Sequence, residues 1–260
     1  MTIKNTMKEK LNAGEIVVGV QLRLGVPAIA EMFSKFGFDW IALDCEHAPQ
    51  TPVGVQQQLQ GISCGTATPF IRPYKNDREL FKMYLDMGAM GFLVPEVHTA
   101  EMAKAGASAC FYPPRGNRGC GPSRANSWGL VEDYYDKIND EVMYIPIIES
   151  EEAIRNIDEI AVVDGVDVLI VGPVDLSISL GVPHQLDHPK VQDAIKKTQV
   201  AAENAGKVAG SCIYGGDMFL PDIYKKFVDA GYRFLLIGGD EWMLTDGCKK
   251  VMDSLSRVRN

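Results

Sequence analysis

Asp44, Glu46 and His47 fall in one short stretch, directly after the apolar run 40–43 and just before Pro49. A carboxylate three residues from an imidazole can orient the ring and raise its basicity, and a histidine held so moves protons near neutral pH. The plainer reading is a strand that surfaces into a polar turn. Arg72, in Phe70-Ile71-Arg72-Pro73, is a cation inside an apolar run. It calls for an anionic partner or a carbonyl to polarise, or else pairs with an acid such as Glu46. Glu149 ends the run Tyr144-Ile145-Pro146-Ile147-Ile148, where a carboxylate is costly unless paired or bound to a cation. Asp175 follows Gly172-Pro173-Val174. Either acid could simply serve the first turn of a helix. Together they suit a hard dication, Mg²⁺ or Mn²⁺, whose shell is completed by waters and substrate oxygens. The Gly172-Pro173-Val174 turn leaves N–H groups free at a helix start, a seat for a substrate carboxylate.

These residues need elements that bring them to one place. Short apolar runs at 16–22, 40–44, 69–74, 91–97, 142–148, 166–171, 208–213 and 234–237 read as strands. Amphipathic segments between them read as helices: 27–36, 52–62, 76–87 with Asn76 as N-cap, 100–107 capped by Thr99, 151–160, 189–205, 217–230 and 241–257. A polar helical segment, 3–11, precedes them. The stretch 110–129, rich in Gly, Pro and Arg, reads as a long loop. Near-continuously apolar strands alternating with helices imply a parallel sheet covered on both faces. Eight of them, with no Ser/Pro-rich linker, imply a (β/α)8 barrel in a single domain, 1–260. A doubly wound open sheet is the rival, but it wants a Gly-rich phosphate turn after the first strand, and Leu22-Arg23-Leu24-Gly25 is a poor one.

In a barrel the chemistry sits just past the strands. Those positions hold Gln21 and Arg23, then Asp44, Glu46 and His47, then Arg72, then Glu96 and His98. Glu149, Asp175, Cys212 with Tyr214, and Asp240 follow in turn. Cys45, flanked by the acids, points to the opposite face of its strand. His98, His184 and His188 read as loop or capping residues. Net charge is −8 over 260 residues with no basic stripe, which gives nucleic-acid binding no electrostatic support. No apolar run approaches membrane-spanning length, and the N-terminus lacks a signal-peptide core. Six cysteines without a CxxC pair read as the reduced thiols of a cytoplasmic protein.

Asp44-Cys45-Glu46-His47, Arg72-Pro73, Leu85-Asp86-Met87-Gly88-Ala89, Tyr112-Pro113-Pro114-Arg115-Gly116-Asn117-Arg118-Gly119, Ile148-Glu149 and Val171-Gly172-Pro173-Val174-Asp175-Leu176-Ser177 resemble, in order, the signature stretches of the HpcH/HpaI aldolases. These are metal-dependent (class II) pyruvate aldolases; macrophomate synthase and citrate lyase β subunits are relatives. The resemblance implies a TIM barrel of the phosphoenolpyruvate/pyruvate type that swaps its last helix between subunits and assembles as a homohexamer, a trimer of dimers. It implies a divalent ion (Mg²⁺, Mn²⁺ or Co²⁺) on Glu149 and Asp175, chelating pyruvate. Arg72 would bind the keto oxygen, His47 held by Asp44 would move the proton, and Gly172 to Asp175 would hold the carboxylate. Glu46 would be a supporting acid for Arg72 or a water. Gly116 to Gly119, with Arg118, and Arg124 would shape the mouth, for a neighbouring subunit if not their own. The implied reaction is reversible retro-aldol cleavage of a 2-oxo-4-hydroxy acid to pyruvate and an aldehyde, through the pyruvate enolate. The alternative is an oxaloacetate decarboxylase or a macrophomate-synthase-like enzyme using the same enolate. Three positions depart from the family pattern: Gln21 where a rim Trp is usual, Ile147 where a Gln is usual, and Glu96 where the residue is often apolar. They line or approach the aldehyde side; Cys212 reads as a supporting or rim residue.

Overall fold

The computed structural model describes residues 3–214 and 218–259. Eight strands are present: β1 (Val17–Leu22), β2 (Trp40–Asp44), β3 (Thr68–Arg72), β4 (Gly91–Val94), β5 (Met143–Ile148), β6 (Val168–Val171), β7 (Val208–Ile213) and β8 (Phe234–Gly239). They pair in parallel in chain order, and β8 closes on β1, so the barrel expected from the alternation is the one formed. Among the described residues twelve α-helices accompany them: α1 (Thr6–Asn12), α2 (Pro27–Ser34), α3 (Pro52–Ile62), α4 (Arg78–Asp86), α5 (Ala100–Cys110), α6 (Tyr134–Glu141), α7 (Glu151–Arg155), α8 (Ile157–Ala161), α9 (Pro173–Ser179), α10 (Pro189–Asn204), α11 (Pro221–Asp229) and α12 (Asp240–Arg259).

The period of two along each strand divides the apolar residues into two cores. Val17, Trp40, Ala42, Phe70, Leu93, Met143, Ile145, Ile147, Val168, Ile170, Phe234 and Leu236 fill the barrel interior. Ile41, Leu43, Ile71, Phe92, Val94, Tyr144, Ile148, Leu169, Val171, Leu235 and Ile237 face the helices instead. Met7 and Leu11 of α1 join the inner core and close its amino end. Trp40 lies inside, stacked on Phe234 at 4.4 Å. Gly19 makes room for it, since a Cβ there would stand 1.9 Å from the indole. The same parity aims Asp44, Arg72 and Glu149 inward at the carboxyl end. β2 and β3 run in register from Trp40↔Thr68 to Asp44↔Arg72, which sets those two side by side. Cys45, one residue on, falls into the outer core as expected.

Several local expectations shift. Asp77, not Asn76, caps α4: it stands at the N-cap position, and its carboxylate accepts the N–H groups of Glu79 (2.9 Å) and Leu80 (3.1 Å). The Asn76 amide instead donates to the Met102 carbonyl and ties α4 to α5. The helix expected over 151–160 breaks at Asn156 into α7 and α8, and the Asn156 amide donates to the His98 carbonyl. α6 escaped the sequence reading because only Tyr134 and Ile138 of it are buried, a pair too sparse to show a period. The expected start of the 217–230 helix, Asp217, lies outside the described residues; α11 begins at Pro221. Among the described residues no helix is long and apolar enough to cross a membrane.

Candidate active site

A cavity of about 450 Å³ opens at the carboxyl end of the strands, lined by Arg23, His47, Arg72, Glu149, Gly172 to Asp175, Cys212, Tyr214 and Trp242 over a floor of Leu93, Ile147, Ile170 and Leu236. It gathers residues from all eight strands or the segments that directly follow them, as the expectation for such a barrel requires.

Asp44 is fully buried and fully engaged. Its two oxygens take Arg72 in a fork, Nε at 3.1 Å and Nη2 at 2.5 Å, and Oδ2 also takes Arg23 Nε at 2.8 Å. Oδ1 accepts the backbone N–H groups of Glu46 (3.0 Å) and His47 (3.1 Å), shaping the turn after β2. Burial alone would push its carboxyl up, but the Arg72 hydrogen bonds and charge, the His47 N–H and Arg23 outweigh it and hold it below the usual range. The expected Asp44–imidazole bond is absent: two arginines and two backbone N–H groups occupy the carboxylate. Glu46 is the acid in ion-pair range of the ring. Its Oε2 lies 3.5 Å from His47 Nε2 and 3.1 Å from Arg72 Nε. Burial opposes the Arg72 charge, yet Asp44 and Glu46 together keep the guanidinium protonated more firmly than usual.

The opposite wall is built differently. Glu149 Oε1 accepts the Glu96 N–H at 2.7 Å. Burial pushes the Glu149 carboxyl up to about 7; the Glu96 N–H opposes this, and the charges of Glu46 and Asp175 add to it. Gly172 lets this carboxylate lie against the chain, because a Cβ there would stand 2.9 Å from Oε2. Asp175 sits in the first turn of α9, so its helix-start reading and its site reading are both met. Two converging carboxylates, one of them uncompensated, are a donor set that fits a hard divalent ion. No group of three His, Cys, Asp or Glu side chains capable of holding a metal exists among the described residues. The protein would therefore supply two ligands and leave the other positions to water and substrate.

Other expected residues lie elsewhere. The Glu96 side chain is exposed; its contribution is the backbone N–H, delivered by a left-handed φ of 55°. Gln21 is not on the rim. Its inward parity buries it to 1% exposure beneath the cavity, with Nε2 lacking a partner among the described residues. Arg118 and Arg124 are at the other end of the barrel. Arg118 binds Asp86 at the end of α4 (2.9 Å) and lies over the Tyr112 ring, while Gly116 is wedged against the Ser108 and Phe111 carbonyls. Arg124 donates to the Met87 and Leu59 carbonyls, where α4 and α3 finish. These contacts keep both arginines away from their own protomer's mouth. His98 bonds Ser150 Oγ and His188 caps α10, as their loop and capping reading expected. Arg23, Tyr214 and Trp242 also line the cavity. The first two stand at strand ends in the sequence, but Trp242 is carried in by the first turn of α12, which no strand-end rule reaches.

The HpcH/HpaI aldolase/citrate lyase family model matches residues 18–244. The chain belongs to this family. It is 38% identical over 246 residues to the 2-keto-3-deoxy-L-rhamnonate aldolase of Escherichia coli K12, covering 94% of this chain and 90% of that one. Among solved structures it is similar to an HpcH/HpaI aldolase/citrate lyase family protein from Burkholderia cenocepacia J2315 (TM-score 0.91, 30% identity, 99% and 100% of the chains covered). It is also similar to the HpcH/HpaI aldolase of Desulfitobacterium hafniense DCB-2 (TM-score 0.89, 33% identity, 95% of each chain covered). An enzyme of this family is thus an aldolase or related lyase.

Proposed function

We propose that this family member cleaves a 2-oxo-4-hydroxy acid reversibly to pyruvate and an aldehyde, and that its relatives' 3-deoxy sugar-acid chemistry indicates the substrate class. The observation that carries this is the convergence, in one cavity, of Glu149 and Asp175 with the Asp44-locked Arg72 and His47. Glu149 and Asp175 would hold a divalent cation, which when bound supplies a Lewis acid toward the 2-oxo oxygen. Val174 and Asp175 offer first-turn N–H groups to the 1-carboxylate. His47, steadied by Glu46, takes the 4-hydroxyl proton. The C3–C4 bond breaks, its electron pair passes to C3 and the 2-oxo group as an enolate, and the aldehyde leaves. Arg72 is already aligned by Asp44, so its charge meets the enolate oxygen without reorganisation. Proton return to C3 gives pyruvate. Oxaloacetate decarboxylation passes through the same enolate and is expected as a side reaction.

We assign a homohexamer with α12 exchanged between subunits. α12 leaves Leu244, Val251, Met252, Leu255 and Val258 exposed, a helical stripe that needs a partner. A cytoplasmic site accords with six free cysteines. The test of the reaction is EDTA-treated protein given Mn²⁺ and pyruvate in D₂O. Methyl-proton exchange that needs the metal, His47 and Arg72 supports the reading. Exchange indifferent to EDTA, with borohydride trapping of pyruvate, would overturn it.

A further inference from the structure

The cavity has a wall that the pyruvate chemistry leaves unused. Arg23, from the end of β1, spends Nε on Asp44 and Nη1 on Glu241 Oε1 (3.1 Å); among the described residues no hydrogen bond occupies Nη2. Its side chain keeps 30% exposure, on the cavity side. Tyr214 follows β7 with its ring edge-on to Trp242, centroids 4.7 Å apart. Burial, and then the Cys212 thiol beside it, push the Tyr214 hydroxyl far up, against the pull of Arg72 and Arg23. It is a neutral donor and acceptor at any working pH. Cys212 itself stays a thiol, pushed up to about 11 by burial, and donates to the Val171 carbonyl. Beside an apolar floor, a pinned guanidinium and a phenol on a tryptophan form a small polar recognition set.

We propose that Arg23 and Tyr214 read a neutral hydroxyl on the aldehyde-derived part of the substrate, so that hydroxyaldehydes are taken and anionic or alkyl aldehydes are discriminated against. The inference rests on the retro-aldol reading and names the substrate class of that site. Charge decides between a hydroxyl and a second carboxylate. Arg23 and Arg72 face Asp44, Glu46, Glu149, Asp175, Asp240 and Glu241. A dication leaves those six carboxylates still in excess, and a substrate 1-carboxylate widens it. A further anion would enter an already negative rim. A hydroxyl can accept from Arg23 Nη2 and exchange a hydrogen bond with Tyr214 Oη without adding charge. A site built to bond a hydroxyl rejects an analogue lacking it, because its own polar groups lose their partner.

The experiment is aldol addition of pyruvate to glyceraldehyde, propanal and succinic semialdehyde, with metal-loaded wild type, Tyr214→Phe and Arg23→Lys. Pyruvate methyl exchange in D₂O is run in parallel. Wild type should favour glyceraldehyde over propanal by at least about tenfold in kcat/KM, and Tyr214→Phe should cut that ratio by about 3–10-fold. Arg23→Lys should cut it too. A ratio unmoved in both variants, or wild-type preference for succinic semialdehyde, overturns the proposal while exchange persists. Loss of exchange in wild type itself would instead sink the retro-aldol reading beneath it.

Discussion

Two acidic quadrants face each other across the cavity, and they are in opposite electrostatic conditions. At the ends of β2 and β3, Asp44 is satisfied by two guanidinium groups and two N–H groups, and its carboxyl is held low. At the ends of β5 and β6, Glu149 has one N–H, and its carboxyl is pushed up to about 7. The first quadrant is a finished scaffold that aims Arg72. The second is a site whose charge balance is incomplete until a cation arrives. Removing an acid should therefore damage the first structurally and the second only functionally.

The largest effect that tests this contrast is on catalysis. Glu149→Gln or Asp175→Asn should lower kcat/KM by about a thousandfold, roughly 4 kcal/mol of transition-state stabilisation, and abolish the Mn²⁺-induced rise in Tm. In EDTA the same variants should melt no lower than wild type. Activity within tenfold of wild type would break the assignment. Next comes Asp44→Ala, which strands Arg72 and half-buried Arg23 and should cost about 3 kcal/mol of stability, read by denaturant unfolding. A loss under about 1 kcal/mol would mean the quadrant is no scaffold.

The pH dependence has opposite signs in the two quadrants. Glu149 has a folded value above its unfolded one, so its contribution in ion-free protein is full below about 4.5 and is lost as pH rises toward 7, by up to about 3 kcal/mol. Asp44 has a lowered folded value, so its contribution is present above about 3.8 and is lost as pH falls below that. Mn²⁺ should accordingly raise Tm more at pH 8 than at pH 6; an equal rise would contradict the crowded-carboxylate picture. Smallest is Glu96→Gly. It keeps the N–H on Glu149 and relieves a left-handed backbone, so stability should rise by about 1 kcal/mol with activity unchanged. A fall in activity would show that the exposed carboxylate has a role.

Strand order, barrel closure and the inward parity of Asp44, Arg72 and Glu149 were legible because a period of two and a run of apolar residues are local signals. The partner of His47 was not. Sequence spacing favoured Asp44, but competition decides which acid meets the ring, and the competitors come from β1 and β3. Glu96 misled for a related reason: its side chain drew notice, while its backbone carries the contact. Trp242 and the true place of Arg124 depend on how helices end and turn, which strand-end reasoning does not see.

Trp40, stacked on Phe234 above α1, makes the barrel a cul-de-sac. Traffic in a cul-de-sac has an order. Whatever lies against the apolar floor of Leu93, Ile147, Ile170 and Leu236 arrives first and departs last. If that is the three-carbon half, then synthesis runs ketoacid first and cleavage lets the aldehyde go before pyruvate. Product-inhibition patterns, pyruvate competing with the cleaved substrate and aldehyde not, are then a consequence of one indole and the glycine that makes room for it.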